Sequence, residues 1–106
     1  MKKYACNRLY LNNGEYISTA VVTINEMGEV ESHTRLVEET SATEWIGGAI
    51  ILSDKKEINI KSTFKQLLLD TQCATHPMYA WHIIPFDFAK EELSEQSIIK
   101  RLHPGV

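Results

Sequence analysis

The fold class is decided by Ile17-Ser18-Thr19-Ala20-Val21-Val22-Thr23-Ile24, a run in which six of eight residues are β-branched. Such side chains fit a pleated strand better than a helix. Met27-Gly28 follows and predicts a chain reversal, because glycine adopts the turn conformations that other residues avoid. Residues 29–37 then alternate with period two, which predicts a second strand with one wet face and so a hairpin. Its predicted faces are Val30, Ser32, Thr34 and Leu36 on one side, and Glu29, Glu31, His33 and Arg35 on the other.

Further strands are predicted around this hairpin. Lys3 to Leu11 carries apolar residues on both faces, which is typical of a strand covered on both sides. The two faces are Tyr4, Cys6 and Tyr10, opposed to Ala5, Leu9 and Leu11. Asn12-Asn13-Gly14 is a turn signal, since Asn and Gly tolerate positive φ.

The middle of the chain predicts a buried strand. Glu38 to Thr43 is polar and is predicted to be a loop, and Trp45 to Leu52 is an apolar run entered through Gly47-Gly48. These glycines lack the residues of a phosphate-binding loop, so we expect them to allow close backbone packing beside Trp45. A short strand is predicted at Ile58 and Ile60.

Two helices are predicted in the second half. Thr63 and Gln66 match a capping box, and the apolar spacing of Phe64, Leu67 and Leu68 predicts a helix over 63–73. A short C-terminal helix is predicted from Ser94 to Leu102, because Ile98, Ile99 and Leu102 form an apolar stripe. Between them, residues 78–84 predict a strand that Pro85 ends and that pairs with strands of the first half.

The whole pattern predicts one domain over residues 1–106. We expect a mainly β (α+β) fold, an antiparallel β-sandwich-like domain with the two helices just described. A length of 106 residues suits a single domain, and 43% hydrophobic residues suffice for one core.

Composition argues against several classes of partner. The net charge is −3, and binding to nucleic acid or anionic lipid needs clustered Lys and Arg. The basic doublets are scattered at Lys2-Lys3, Lys55-Lys56 and Lys100-Arg101. The longest apolar run, Ile46 to Leu52, is too short to span a bilayer. We therefore expect a cytoplasmic protein with no nucleic-acid or membrane partner, in which Cys6 and Cys73 are reduced, buried thiols.

Reactive side chains are scattered. Zinc needs three or four converging ligands. The spacing Cys73-x-x-His76 supplies half a site, and no second half follows. The available His and Cys side chains are Cys6, His33, Cys73, His76, His82 and His103. The carboxylates Asp87, Glu91 and Glu92 lie in a polar stretch where solvation is the default. We predict no catalytic residues, no metal and no cofactor.

Large aromatic side chains are expected to form the core rather than a binding patch. Those singled out are Trp45, Tyr79, Trp81, Phe86 and Phe88.

Two segments resemble the accessory β-sandwich (composite) domain of amidohydrolase-superfamily metal-dependent hydrolases. Over 1–53 the residues that carry the resemblance are Tyr4 to Leu11, Ala20 to Ile24 with the turn at Gly28, and Glu44 to Ile51. Over 79–102 they are Phe86 to Phe88, Leu93-Ser94 and Ser97 to Leu102. The family continues with a Pro-Gly turn and a His-x-His metal pair where this chain has Ile51-Leu52-Ser53-Asp54. The resemblance thus implies the accessory sandwich without its catalytic barrel, and no metal ligand is carried over.

Three functional hypotheses follow. The first is a non-enzymatic accessory or protein-interaction domain, with a homodimer formed through a sheet face or edge, because free edges are pairing templates. The second is a small metal- or thiol-dependent hydrolase-like enzyme whose site combines Cys73, His76 and His82. The third is a module that binds a small ligand against Trp45 and Trp81.

Overall fold

The computed structural model describes residues 2–11, 15–36, 43–54, 63–71 and 78–103. The elements are β1 (Lys2–Tyr10), β2 (Tyr16–Ile24), β3 (Val30–Arg35), β4 (Thr43–Trp45), β5 (Ala49–Ser53), α1 (Phe64–Thr71), β6 (Tyr79–Asp87) and β7 (Glu92–Arg101). Strands dominate the described part and α1 is its one helix, so the predicted mainly β class is confirmed. The turn expected at 12–14 and the strand expected at Ile58 and Ile60 lie outside the described residues.

The seven strands of the described part belong to one hydrogen-bonded sheet, whereas a strict β-sandwich has two sheets. Its order is β3-β2-β1-β5-β6-β7, and β4 pairs with the start of β1. β4 and β5 run parallel to β1, and the other pairs are antiparallel. The predicted pairing of the 78–84 strand with the first half is confirmed, since β6 pairs with β5.

Two hydrogen bonds show that the sheet curls back on itself. Val30 N–H at the start of β3 donates to the carbonyl of Met78, just before β6, at 2.7 Å. The Tyr4 hydroxyl likewise donates to the His103 carbonyl at 2.6 Å. These contacts join segments that lie far apart in the strand order.

Apolar side chains form one cluster on each face of the sheet. The first contains Cys6, Leu9, Ala20, Val22, Ile24, Val30, Ile50, Leu52 and Ala80. The second contains Tyr10, Ala49, Ile51, Phe64, Leu67, Ile83 and Phe86, and α1 packs within it. Because removing apolar surface from water is the dominant favourable term in folding, we expect these two clusters to supply most of the stability.

The alternation of side chains between the two faces of β1 is interrupted halfway along the strand, which the sequence did not predict. Leu9 joins the cluster of Cys6, whereas Tyr10 joins the other cluster, so the expected grouping is wrong beyond Cys6. The cause is a bulge, in which the N–H groups of Asn7 and Arg8 both donate to the Gly48 carbonyl, at 3.1 and 3.3 Å. Opposite it on β2, Thr19 has a left-handed φ of 52°.

The expected wet and dry faces of β3 are also wrong. Only Val30 is buried, and residues 31–35 are exposed on both faces. Ile24 pairs with Val30 but Thr23 pairs with Ser32, which leaves Glu31 as the extra residue of a bulge. The hairpin itself is confirmed, with Gly28 N–H donating to the Asn25 carbonyl at 3.0 Å.

The predicted helix is confirmed at Phe64–Thr71. Thr63 caps it by accepting a hydrogen bond from Gln66 N–H at 3.2 Å. Residues 72 and 73, placed in the helix by the sequence pattern, lie outside the described residues. No helix in the described part of the chain is long and apolar enough to cross a membrane.

The predicted C-terminal helix is wrong, because Glu92–Arg101 is strand β7 and pairs with β6. Ser94 does cap a backbone group, Gln96 N–H at 3.2 Å, but it does so in a bulge. Strand β6 also continues past Pro85, where the prediction ended it. Pro85 follows a cis peptide bond and lies at the register shift, where its missing N–H costs no ladder bond.

Candidate functional site

His82 is the one member of the hypothetical Cys73, His76 and His82 site that the structure describes. Its Nε2 lies 2.9 Å from the Gly47 carbonyl, to which it donates, because a carbonyl oxygen can only accept. Burial lowers the pKa of the His82 imidazole, so the ring is neutral at pH 7. The geometry therefore gives His82 a role in bridging β6 to the Gly47-Gly48 segment.

Cys6 is fully buried, as predicted. Its Sγ donates to the Arg8 carbonyl at 3.5 Å, and burial raises the pKa of the thiol to about 11. A thiol that remains protonated is a poor nucleophile. This arrangement suits a core residue.

The raised pKa predicts a specific loss of stability in alkali. The unfolded thiol ionises near pH 9.0, whereas the folded thiol stays protonated to about pH 11. The protonated thiol favours the folded state below pH 9, and this contribution disappears as the pH rises from 9 to 11. The free energy of unfolding, measured with urea, should fall by about 2–3 kcal/mol more over this pH range in the native chain than in Cys6→Ala. Equal slopes for the two proteins would contradict the assignment.

No cluster of three or more His, Cys, Asp or Glu side chains suited to a metal occurs among the residues described. Asp87 accepts a hydrogen bond from Lys90 N–H at 3.0 Å within the β6–β7 turn. Glu92 is exposed, as expected for a solvated carboxylate. Glu91, in contrast, accepts a hydrogen bond from the buried Tyr10 hydroxyl at 2.9 Å, which the sequence did not indicate.

The two tryptophans occupy different environments. Trp81 is buried, as expected, and pairs with Ile51. Trp45 is 55% exposed, so its predicted place in the core is wrong. The reason is its position in β4, a three-residue strand that pairs with the first half of β1, away from α1.

Strand β3 forms one edge of the sheet. Val30 N–H at its start donates to the Met78 carbonyl, and beyond that residue no strand in the described ranges pairs with its outer side. The N–H of Leu36 donates inwards to the Thr19 carbonyl at 2.8 Å. Because backbone directions alternate along a strand, Arg35 and His33 direct their N–H and C=O groups outwards. Residues 31–35, which we call the β3 edge, are all exposed.

A second candidate site is a hydrogen-bonded array of Arg8, Tyr10 and Glu91. Arg8 Nη1 donates to the Tyr10 hydroxyl at 3.1 Å, and that hydroxyl donates to Glu91. Burial raises the pKa of Tyr10 to about 12, so the hydroxyl keeps its proton. Glu91 has a left-handed φ of 52° and lines a groove of about 470 Å³ beside Phe64 and Leu93.

Aromatic rings hold the Arg8 guanidinium from two directions. Its Cζ lies 4.1 Å from the Tyr16 ring centroid and 5.2 Å from that of Phe88. Nη1 also donates to the Phe88 carbonyl at 3.3 Å. The period-two spacing of Arg8 and Tyr10 could have placed them on one face. Nothing in the sequence signalled that Glu91 joins them.

Comparisons with protein-family models, curated proteins and solved structures found no match to this chain. The resemblance to the amidohydrolase accessory sandwich therefore stays a prediction.

Proposed function

We propose that this chain is a non-enzymatic interaction domain that associates with a second copy of itself through the β3 edge. The observation that carries the proposal is the order Glu31-Ser32-His33-Thr34-Arg35 on an exposed edge strand. An edge strand with outward backbone groups is a template for pairing with another strand.

The outward backbone groups fix the register of such a dimer. His33 and Arg35 direct their N–H and C=O groups away from β2, as the inward bond of Leu36 requires. Antiparallel pairing about a two-fold axis at His33 lets the two copies of His33 exchange both hydrogen bonds. The same register places Glu31 opposite Arg35 of the second copy.

The charges of the β3 edge are self-complementary in this register. Each protomer presents one acid and one base, at Glu31 and Arg35, and the two-fold axis brings two oppositely charged pairs together. Opposite charges directly across strands contribute about 0.2–1 kcal/mol each, and like charges are destabilising. The contact is short, so we expect a weak, reversible dimer.

Charge reversal tests the register. Glu31→Arg alone, or Arg35→Glu alone, places like charges opposite each other twice per dimer. Each should weaken dimerisation about tenfold or more, measured by sedimentation velocity between 10 and about 500 μM protein. The double variant, and an equimolar mixture of the two single variants, restore opposite charges and should restore association.

The matched control is Glu95→Arg, an equal change of charge on the exposed part of β7. It should leave dimerisation unchanged. A native chain that is monomeric throughout this concentration range would overturn the proposal. A dimer that is insensitive to both single reversals would overturn it equally, because association would then use another surface.

The hydrolase-like alternative has less support. Its one described residue, His82, is neutral and uses Nε2 to bind the Gly47 carbonyl. His82 could bind a metal or act as a general base only through its other ring nitrogen, Nδ1. The residues described gather no group of three or more His, Cys, Asp or Glu side chains suited to a metal. Elemental analysis of the purified chain tests the alternative, since a stoichiometric metal would favour it over the interaction domain.

A further inference from the structure

We propose that Arg8 is a binding site for the carboxylate of a small organic acid, independent of the β3 edge. The guanidinium is held in one orientation and has donors to spare. Arginine presents a planar fork that matches a carboxylate through two parallel hydrogen bonds.

Four contacts fix the guanidinium. Nη1 donates to the Tyr10 hydroxyl and to the Phe88 carbonyl, at 3.1 and 3.3 Å. The rings of Tyr16 and Phe88 contact the group, with centroids at 4.1 and 5.2 Å from Cζ. Because the side chain is already ordered, a ligand would not bear most of the entropy cost of ordering it.

The remaining edge of the guanidinium, formed by Nε and Nη2, has no protein partner in the described part of the chain. No buried side-chain nitrogen or oxygen there lacks a partner, so these two nitrogens reach solvent. They are also adjacent on the group, which is the geometry of a two-bond carboxylate contact.

The charge of Arg8 has no direct counterion among the described residues. The salt bridge between Lys2 and Glu44 does not involve Arg8. Glu91 lies beyond the Tyr10 hydroxyl, which it contacts in place of the guanidinium. A half-buried cation held against aromatic rings is best satisfied by a negative charge, and a ligand carboxylate supplies one.

Titration with sodium benzoate tests the inference, with the Nε–H resonance of Arg8 followed by NMR. We expect a saturable shift of this resonance at constant ionic strength. Benzamide, the uncharged analogue, and sodium chloride should give none. Arg8→Lys keeps the charge but loses the fork, so benzoate-induced shifts of neighbouring backbone amides should weaken about tenfold. Tyr16→Leu keeps the guanidinium but removes one of the rings that hold it, so benzoate binding measured at the Arg8 Nε–H resonance should weaken.

Several results would overturn the inference. One is a shift that fails to saturate below 100 mM benzoate; another is equal binding of benzamide. A third is unchanged benzoate binding by Arg8→Lys, which would place the ligand elsewhere. Running the titration in Glu31→Arg as well separates this site from the dimer, because benzoate binding should be the same in both proteins.

Discussion

Replacing Gly48 with alanine should be among the most damaging single changes in this protein. We expect Gly48→Ala to lower the free energy of unfolding by at least about 4 kcal/mol, a large part of the stability of a small domain. Urea unfolding monitored by tryptophan fluorescence would measure the loss. If the Gly48→Ala protein is recovered mostly in insoluble form, the loss of stability is larger still.

Two independent costs add at Gly48. Its φ of +67° lies in the left-handed region, where a side chain costs about 1–2 kcal/mol. A Cβ there would also overlap the Ile83 carbonyl oxygen, and would lie 3.1 Å from His82 Nε2 and 3.3 Å from Ile84 Cβ. The carbonyl belongs to the backbone of β6, so it cannot move without disturbing the β5–β6 pairing.

The other left-handed glycines provide matched controls. Gly28 has a φ of +80°, and the nearest atom to its Cβ position is His103 Nδ1 at 3.8 Å. Gly28→Ala should therefore cost the backbone term alone, about 1–2 kcal/mol. Gly47 has a φ of +64° with Asn7 Oδ1 at 3.3 Å, so Gly47→Ala should lie between the two. If Gly48→Ala costs no more than Gly28→Ala, the close approach of Gly48 to the backbone of β6 is wrong.

Local signals in the sequence predicted the features that depend on neighbouring residues. The β2–β3 hairpin has β-branched residues and a glycine turn, and both are decided within a few residues. The same is true of α1, whose cap at Thr63 was read from a four-residue pattern. The close backbone packing predicted at Gly47-Gly48 occurs at Gly48, against the Ile83 carbonyl, while Gly47 is the glycine that lies beside Trp45.

Long-range strand pairing explains the features that the sequence predicted wrongly or did not reveal. Ile98 and Ile99 fit a helical stripe as well as a strand, and only the partner β6, which their spacing does not reveal, decides between the two. The face reversal in β1 depends on Gly48, some forty residues away. The Arg8, Tyr10 and Glu91 array joins β1 to a turn about eighty residues later. Each of these contacts is fixed by topology rather than by local propensity.

The second large effect is expected at Tyr10, which links the core to this array. Tyr10→Ala should cost about 3–5 kcal/mol, since it leaves a cavity where a fully buried ring had been. The ring packs edge-on against Phe64 and Phe86, with centroid distances of 4.8 and 6.1 Å. Its loss would therefore loosen α1 and β6 together.

Tyr10→Phe separates the ring from the hydroxyl. The ring stays, while Arg8 keeps the Phe88 carbonyl and the exposed Glu91 is solvated by water. We expect a cost of only about 1 kcal/mol, the usual contribution of a hydrogen bond. Tyr16→Ala, which removes a ring that is 45% exposed, is the control for losing an aromatic contact beside Arg8. A Tyr10→Ala variant no less stable than Tyr16→Ala would mean that Tyr10 does not anchor the helix-side core, because a buried ring must cost more to remove than a half-exposed one.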